Sequence, residues 1–585
     1  MKKMPKRTSI ILGVSFGHGD SSAALIVDGC LIAAAEEERF CRVKHYAYFP
    51  YQAIQYCLNH AKLSASEIDV LAIARKPTNL LTERLKLAWK NPRLIQERLM
   101  KKREANASEK LAQALKKSGL KRARVIRVEH HLAHLFTARI LSSSDKISLL
   151  SFDGMGDFVS ASMGRPTEEG IEILDRVTFP HSLGYFYTAM TQFMGFPNFG
   201  DEFKLMGLSS YGKPKYLAPL REVIRENESS FGYRLNLEAF PILKNPGTFH
   251  IEKGQPKVLP KFNANLLTQL IGIPPRKPND PITEAHWDLA KSVQIRFEEV
   301  ANHLLKQLYD KVPSDTLGLA GGCAHNSVWV GKIPQVSPFK KILVAPASHD
   351  AGIAVGAASA VAKGAVRPEG RHWALLGPSH TELGSSNTRR LVDTKEHHFP
   401  SEEKLIAWIV EELCQKKIIG LFHGRMEFGP RALGSRSILA DPRWAGMQDK
   451  LNARVKHRES FRPFAASVLW ELQNDWFKDS FFCPSMEAVF EVKQSEKIRA
   501  VTHVDGTCRI QSVTKETQPF YYALIQEFFK RTGIPLLLNT SFNDSEPIVC
   551  HENDVWNCFS HTELDAIVIG NRAYTKVAQN LALTG

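Results

Sequence analysis

The sequence predicts an α/β protein in two parts, a larger first domain built of two related lobes and a smaller second domain. Three observations predict it. Strand–loop–helix units recur, as in TLGLAGGCAHN and KKILVAPASHDAG, each a β-rich run, a glycine or serine turn and a helical segment. At 585 residues the chain is too long for one hydrophobic core. The pattern then weakens between residues 363 and 401, in KGAVRPEGRHW and GPSHTELGSSN, before short strands resume. The expected division is a first domain over 1–370, a linker over 371–400 and a second domain over 401–585.

In chain order, SIILGVSFG and AALIVDGCLIAAAEEE read as buried strands around the turn HGDSS, and IDVLAIA as another short strand. Residues 76–124 are rich in Lys, Arg, Glu and Leu at helical spacing and read as solvated helices. RVIRVEHHLAH passes from strand into helix, and KISLLSFDGMGD is a strand ending in an acidic, glycine-containing turn. A long, less regular region follows over 177–275. In the second part IIGLFHG, FAASVLW, EAVFEV, PLLLN and DAIVIG read as short strands.

Composition narrows the function classes. Lys and Arg number 76 against 61 Asp and Glu, a net charge of +15 that suits phosphates and nucleotides. Nucleic acid is the less favoured partner. Nine cysteines with no CxxC pair argue against a disulfide framework and a zinc ribbon, and point to a reducing, cytoplasmic setting. The amino-terminal apolar run soon meets His18 and Asp20, so it is not read as a signal peptide. No run approaches the ~18 apolar residues of a membrane span.

The chemistry-bearing residues come in two groups. His130 and His134 lie four apart on one helix face, the spacing at which two imidazoles share a metal. Asp153 in SFDGMGD and Asp350 in ASHDAG sit at strand ends, where an α/β fold gathers carboxylates. Two His and two Asp suit Fe²⁺, Mn²⁺ or Zn²⁺ with an open position for a phosphate. Either Asp alone is equally explained as a helix cap. The glycines of DGMGD and AGGCAHN let backbone N–H groups approach phosphate oxygens. Together with HGDSSAAL these loops resemble those of the actin, Hsp70 and sugar-kinase superfamily. In the second part GPRALGSRS, ARVKHRESFRP and GTCRIQ offer a dense set of cations for a dianionic substrate and a triphosphate.

These motifs, with AAAEEERFCRVKH, HSLGYFYTAMTQFMGF, FKLMGLSSYG and RMEFGPRALGSRSIL, resemble in colinear order the O-carbamoyltransferases of antibiotic and nodulation-factor biosynthesis. The resemblance spans about residues 10–570. It implies a first domain like the tRNA threonylcarbamoyl-transfer proteins and a second like the carbamoyl-adenylate-forming proteins. It implies that carbamoyl phosphate and ATP give a carbamoyl-adenylate, whose carbamoyl group passes to a small-molecule hydroxyl. His130, His134, Asp153 and Asp350 are then the metal ligands, Fe²⁺ being favoured, and Mg²⁺ accompanies ATP. His18, Asp20 and Lys44 lie at the transfer site, His18 assisting deprotonation. Lys204, Gly321, Gly322 and Asn326 line a nucleotide pocket. Arg431, Lys456, Arg462 and Arg509 bind carbamoyl phosphate and ATP. The rival readings are a tRNA-modifying threonylcarbamoyl enzyme and a nonenzymatic nucleotide-gated protein.

Three departures stand out. NTSFNDSEPIV is one residue shorter than in some members of the family and lacks the basic residue and glycine. His325 and Ser327 stand where Leu and Cys are usual. RVKHYAYFP lacks the acidic residue that often follows KH. The acceptor is not legible; residues 76–124 and 215–280 are where its specificity could reside.

Overall fold

Short apolar runs punctuated by glycine turns build two sheets of the same topology in the first of two compact units, Met1–Pro368 and Glu369–Gly585. The computed structural model describes residues 9–91, 103–244, 249–258, 262–364, 371–382 and 392–577. The first sheet has the order β3-β2-β1-β4-β5, from β1 (Ile10–Ser15), β2 (Ser22–Val27), β3 (Cys30–Glu36), β4 (Val70–Ile73) and β5 (Arg124–Arg127). β1 to β3 form an antiparallel meander, and β4 and β5 run parallel to β1. The run AALIVDGCLIAAAEEE is two strands, not one. Asp28 and Gly29 take left-handed backbone (φ 49° and 76°) and turn it into a hairpin, a DG signal masked by the unbroken apolar flanks.

The second lobe starts with another meander, β6 (Ser148–Gly156), β7 (Val159–Thr167) and β8 (Gly170–Thr178). Two short hairpins follow, β9 (Ile224–Glu226) with β10 (Tyr233–Leu235) and β11 (Phe249–Glu252) with β12 (Gln255–Val258). β13 (Thr316–Ala320) and β14 (Lys341–Val344) then add parallel to β6, giving the order β14-β13-β6-β7-β8. The expected pair of related lobes is therefore present as a repeated meander followed by two parallel strands.

The helices of this unit include α1 (Tyr51–Ala61), α2 (Leu81–Lys90), α3 (Arg103–Lys117), α4 (His130–Arg139), α5 (Leu183–Phe193), α6 (Glu202–Leu208), α7 (Glu284–Lys311) and α8 (Ile353–Val361). α2 and α3 are the helices expected over 76–124, of which 92–102 lie outside the described residues. The region 177–275 is more regular than expected. The side chain of Ser182 caps α5, accepting from Tyr185 N, a start signal hidden among aromatic residues.

α4 and α8 exchange places. α4 follows the last strand of the first sheet but packs on the second, whereas α8 follows the last strand of the second and packs on the first. They also pack on each other, and glycine makes this possible. A Cβ at Gly13 of β1 lies 1.9 Å from Ala354 O, and one at Gly356 of α8 lies 1.8 Å from Ala133 O.

The second unit is a nine-stranded mixed sheet. Its strands are β15 (Thr394–His398), β16 (Ile419–Phe422), β17 (Arg436–Ala440), β18 (Ala465–Leu469), β19 (Ala488–Glu491), β20 (Thr507–Val513), β21 (Leu536–Ser541), β22 (Ala566–Ile569) and β23 (Arg572–Lys576). Their order is β15-β23-β22-β16-β17-β21-β18-β20-β19. α9 (Glu402–Cys414) and α10 (Pro519–Thr532) pack together beside the sheet. The stretch expected to be a linker differs in its described residues. Gly377 N donates to Met426 O (2.9 Å), Arg425 Nε to Gly377 O (3.0 Å) and Arg436 to Pro378 O (3.0 Å), while β15 forms the sheet edge. Its low hydrophobicity conceals a segment whose backbone is held by hydrogen bonds from the main chain and from two arginine side chains. All nine cysteines are free, and among the described residues no helix is long and apolar enough to cross a membrane.

Candidate functional site

α4 begins at His130 because Glu129 caps it, accepting from His131 N (3.1 Å) and Leu132 N (2.6 Å). One turn apart, His130 and His134 bring their Nε2 atoms within 3.2 Å of each other. Asp153 lies where the pairing of β6 with β7 breaks, between Phe152 and Gly156. Its Oδ2 is 3.3 Å from His130 Nε2 and 3.2 Å from His134 Nε2. Asp350, after β14, brings Oδ1 to 3.5 Å from both imidazoles. All four donor atoms lie within 4.8 Å of one another. Gly156 is required here, since a Cβ would meet the His130 ring at 2.1 Å.

This donor set fits a divalent first-row ion, and one atom speaks for it directly: Asp350 Oδ1 is buried and receives no hydrogen bond. The two carboxylates raise His134 to about 9 against the effect of burial. Burial pushes Asp153 up, but hydrogen bonds and charge from His130 and His134 hold it well below its ordinary value. His131, between the two, is a neutral packing group. It reaches Ser151 Oγ (2.9 Å) and Val159 O (3.0 Å), and burial with its His neighbours keeps its pKa low.

His18 and Asp20 share the loop between β1 and β2 but do different things. His18 Nδ1 is 2.8 Å from Asp350 Oδ2, so it orients that carboxylate, while its buried Nε2 has no hydrogen-bond partner among the described residues. Asp20 Oδ1 is 2.8 Å from His45 Nδ1. Lys44 is half-buried next to that imidazole, and its charge opposes protonation of His45. His45, absent from the expected set, stands at about 9, because Asp20 and Glu38 overcome burial. Also unforeseen is a buried chain in which His349 Nε2 approaches Glu36 Oε1 (3.3 Å) and Arg39 grips Glu36 Oε2 (2.6 Å). These residues lie inside quoted motifs, but which acid meets which base depends on the loop path.

The expected nucleotide residues are placed less uniformly. Lys204 Nζ is 3.1 Å from Asp201 and 5.5 Å from the Phe196 ring centre. Gly321 does not offer its N–H to a phosphate, because it donates to Ser348 O (2.7 Å); its φ of 94° and tight packing on Phe152 O require glycine. Gly322 borders the metal cluster, a Cβ there lying 2.9 Å from Asp153 Oδ1. Asn326 is buried with its amide exchanged with Gln294 (both contacts 2.9 Å), while it caps Trp329 N (3.1 Å). It builds a wall and does not extend a free amide.

In the second unit Arg431, Arg462 and Arg509 come together, joined by Arg458, which was among the cations noted but not among those selected. Burial and the charges of Arg509 and Arg462 push Arg431 well below the usual guanidinium range. Arg458 is lowered to about 9 and Arg509 to about 10, burial being the larger cause in both. Glu459 Oε2 lies 3.6 Å from Arg462. Lys456 differs. Its ammonium is buried and donates to Ser541 O (3.0 Å), Asn543 O (2.6 Å) and Asn543 Oδ1 (2.7 Å), which staples the NTSFN loop. Arg436 is likewise structural, donating to the carbonyls of His423, Gly424, Ser435 and Pro378.

Residues 10–359 match the model of the carbamoyltransferase N-terminus, and residues 410–576 that of the carbamoyltransferase C-terminus. The chain belongs to the carbamoyltransferase family. Its relatives include nodulation protein NolNO of Sinorhizobium fredii, 36% identical over 96% of this chain and 80% of that one. Protein sll1178 of Synechocystis is 34% identical over 97% of each chain, and 3'-hydroxymethylcephem-O-carbamoyltransferase of Streptomyces clavuligerus 26% over 66% of each. Among solved structures, T. kodakarensis HypF shares 13% identity over 61% of this chain and 47% of that one, with a TM-score of 0.29. In this carbamoyltransferase the short loop after β21 is internally tied. Asn543 Nδ2 donates to Glu546 O (2.6 Å), and Asp544 Oδ2 lies 3.1 Å from His457 Nδ1.

Proposed function

We propose that this carbamoyltransferase makes a carbamoyl-adenylate in its second unit and uses it in its first to carbamoylate a small-molecule hydroxyl. The observation that carries the reading is the group of four arginines, three of them depressed in pKa by burial and by one another. It supports a site for carbamoyl phosphate beside ATP. Water cleaves the P–O bond of carbamoyl phosphate, leaving inorganic phosphate and carbamate. Its oxygen attacks the α-phosphorus of ATP, and the bond to pyrophosphate breaks. Arg431, Arg458, Arg462 and Arg509 hold the anions, Mg²⁺ accompanies ATP, and Lys456 fixes the loop beside them.

In the first unit His130, His134, Asp153 and Asp350 are the residues to hold a divalent ion, Fe²⁺ being our first choice. Such an ion supplies Lewis acidity toward a phosphate oxygen. His18 keeps Asp350 oriented. Asp20, paired with His45, is the group to receive the acceptor proton as the hydroxyl oxygen attacks the carbamoyl carbon and AMP departs. Lys204 lies near the nucleotide, with Gly322 where backbone must pass close to Asp153. The name of one relative, 3'-hydroxymethylcephem-O-carbamoyltransferase, supports an oxygen acceptor.

The test is pyrophosphate release from ATP and Mg²⁺, with and without carbamoyl phosphate. Release only in its presence supports the scheme. Release without it, or none from metal-loaded folded protein, overturns it.

A further inference from the structure

α2 is a helix that the chemistry above does not use. One side is docked: Arg84 lies over the Phe158 ring (5.0 Å from its centre), and Leu87 and Ala88 are half-buried. The turn before it is anchored as well, Lys76 N donating to Asp157 Oδ2 (2.6 Å) and Asn79 Nδ2 to Asp157 O (3.3 Å). On another side Leu81, Leu85 and Trp89, spaced four apart and so aligned along one stripe, are 52%, 68% and 82% exposed. Scattered apolar side chains on a surface need no explanation, but three in a row ending in a tryptophan do.

Charge decides what could cover them. The exposed residues of the helix and of the turn before it include Arg75, Lys76, Lys86 and Lys90, with Glu83 as the one acid in the helix. A second copy laid against this stripe brings two sets of like charges together, which opposes dimerisation. A nucleic acid would satisfy the lysines but strand the leucines in water. An anionic bilayer satisfies both, with acyl chains for Leu and Trp and lipid phosphates for Lys. At ten residues the helix is about 15 Å long, which suits lying in the interface and not crossing it.

We propose that α2 docks the protein reversibly on anionic lipid membranes, with Leu81, Leu85 and Trp89 entering the headgroup–acyl boundary and Lys86 and Lys90 meeting lipid phosphates. The proposal is independent of the reaction scheme. The experiment is co-sedimentation of the full chain with vesicles of phosphatidylcholine alone and of phosphatidylcholine with one third phosphatidylglycerol. Binding to the anionic vesicles is expected, weakening with salt. L85S/W89S lowers the partition coefficient by roughly tenfold or more, and Lys86→Gln and Lys90→Gln each by roughly fivefold. Tm is unchanged in all three because the side chains are exposed. Absence of wild-type binding to anionic vesicles overturns the proposal, as does binding that the variants leave intact. A concentration-dependent dimer that L85S/W89S abolishes, without vesicle binding, assigns the stripe to self-association instead.

Discussion

At Gly156 and His130 the cluster of two histidines and two aspartates depends on the smallest side chain in the protein. A Cβ at 156 occupies the place of the imidazole, so Gly156→Ala must displace His130 or the strand. Iron or zinc content after reconstitution, measured by elemental analysis, should fall below half. Asp350→Asn removes a charged donor and leaves the fold intact, with metal affinity reduced by more than roughly 100-fold. Glu487 offers a pH test in the second unit. Burial raises it to about 7, although Ser485 N donates to it (2.6 Å). A raised carboxyl favours folding in its protonated form, so its contribution is full below the ordinary value of 4.5 and is lost as pH rises through about 7. Glu487→Gln should therefore gain stability over wild type across that window and level off above it, as followed by denaturant midpoints. The convergence of His130, His134, Asp153 and Asp350 was legible because i, i+4 spacing and strand ends fix where their side chains can meet. His45 and Lys456 were not legible in the same way. Whether a cation greets a ligand or props a loop depends on which carbonyls fold over it, and RVKH and ARVKH look alike in one dimension.

Helix packing carries the same site at the next scale. α4 and α8 touch through Gly356, where any side chain meets Ala133 O, and α8 approaches β1 through Gly13. Gly356→Val should separate the helices and pull the Asp350 loop from His130 and His134. Metal affinity is expected to drop and the first unit to lose about 2–4 kcal/mol in chemical denaturation, while pyrophosphate release persists. In the other unit Lys456→Met removes the donor that Ser541 O, Asn543 O and Asn543 Oδ1 share. It should raise KM for carbamoyl phosphate more than it lowers Tm, as steady-state pyrophosphate assays would read. Elements were easier to foresee than their boundaries. Strands with continuous apolar runs showed themselves, whereas the Asp28–Gly29 hairpin, the capped helix at Leu183 and edge strand β15 depended on single turn or cap residues.

Taken whole, the chain holds two sites of opposite chemistry, an acid–imidazole cluster in one compact unit and an arginine cluster in the other. Clustered guanidinium groups destabilise the fold that holds them. Arg431→Met should raise the Tm of the second unit and abolish carbamoyl phosphate-dependent pyrophosphate release, and inorganic phosphate should raise the Tm of wild type but not of the variant. The repeated order of the two sheets in the first unit was visible as recurring strand–loop–helix text. Their exchange of α4 and α8 was not, because nothing local in either helix states which sheet it will cover.

That exchange gives the metal cluster a mechanical meaning. His130 and His134 follow the strands of one half of the duplication, and Asp153 and Asp350 belong to the other. Because α4 packs on the second sheet, an ion bound among them would tie a segment that follows one half of the duplication to the strands and loop of the other. Loading should then slow amide exchange in β1 and β13 together, though neither strand supplies a ligand.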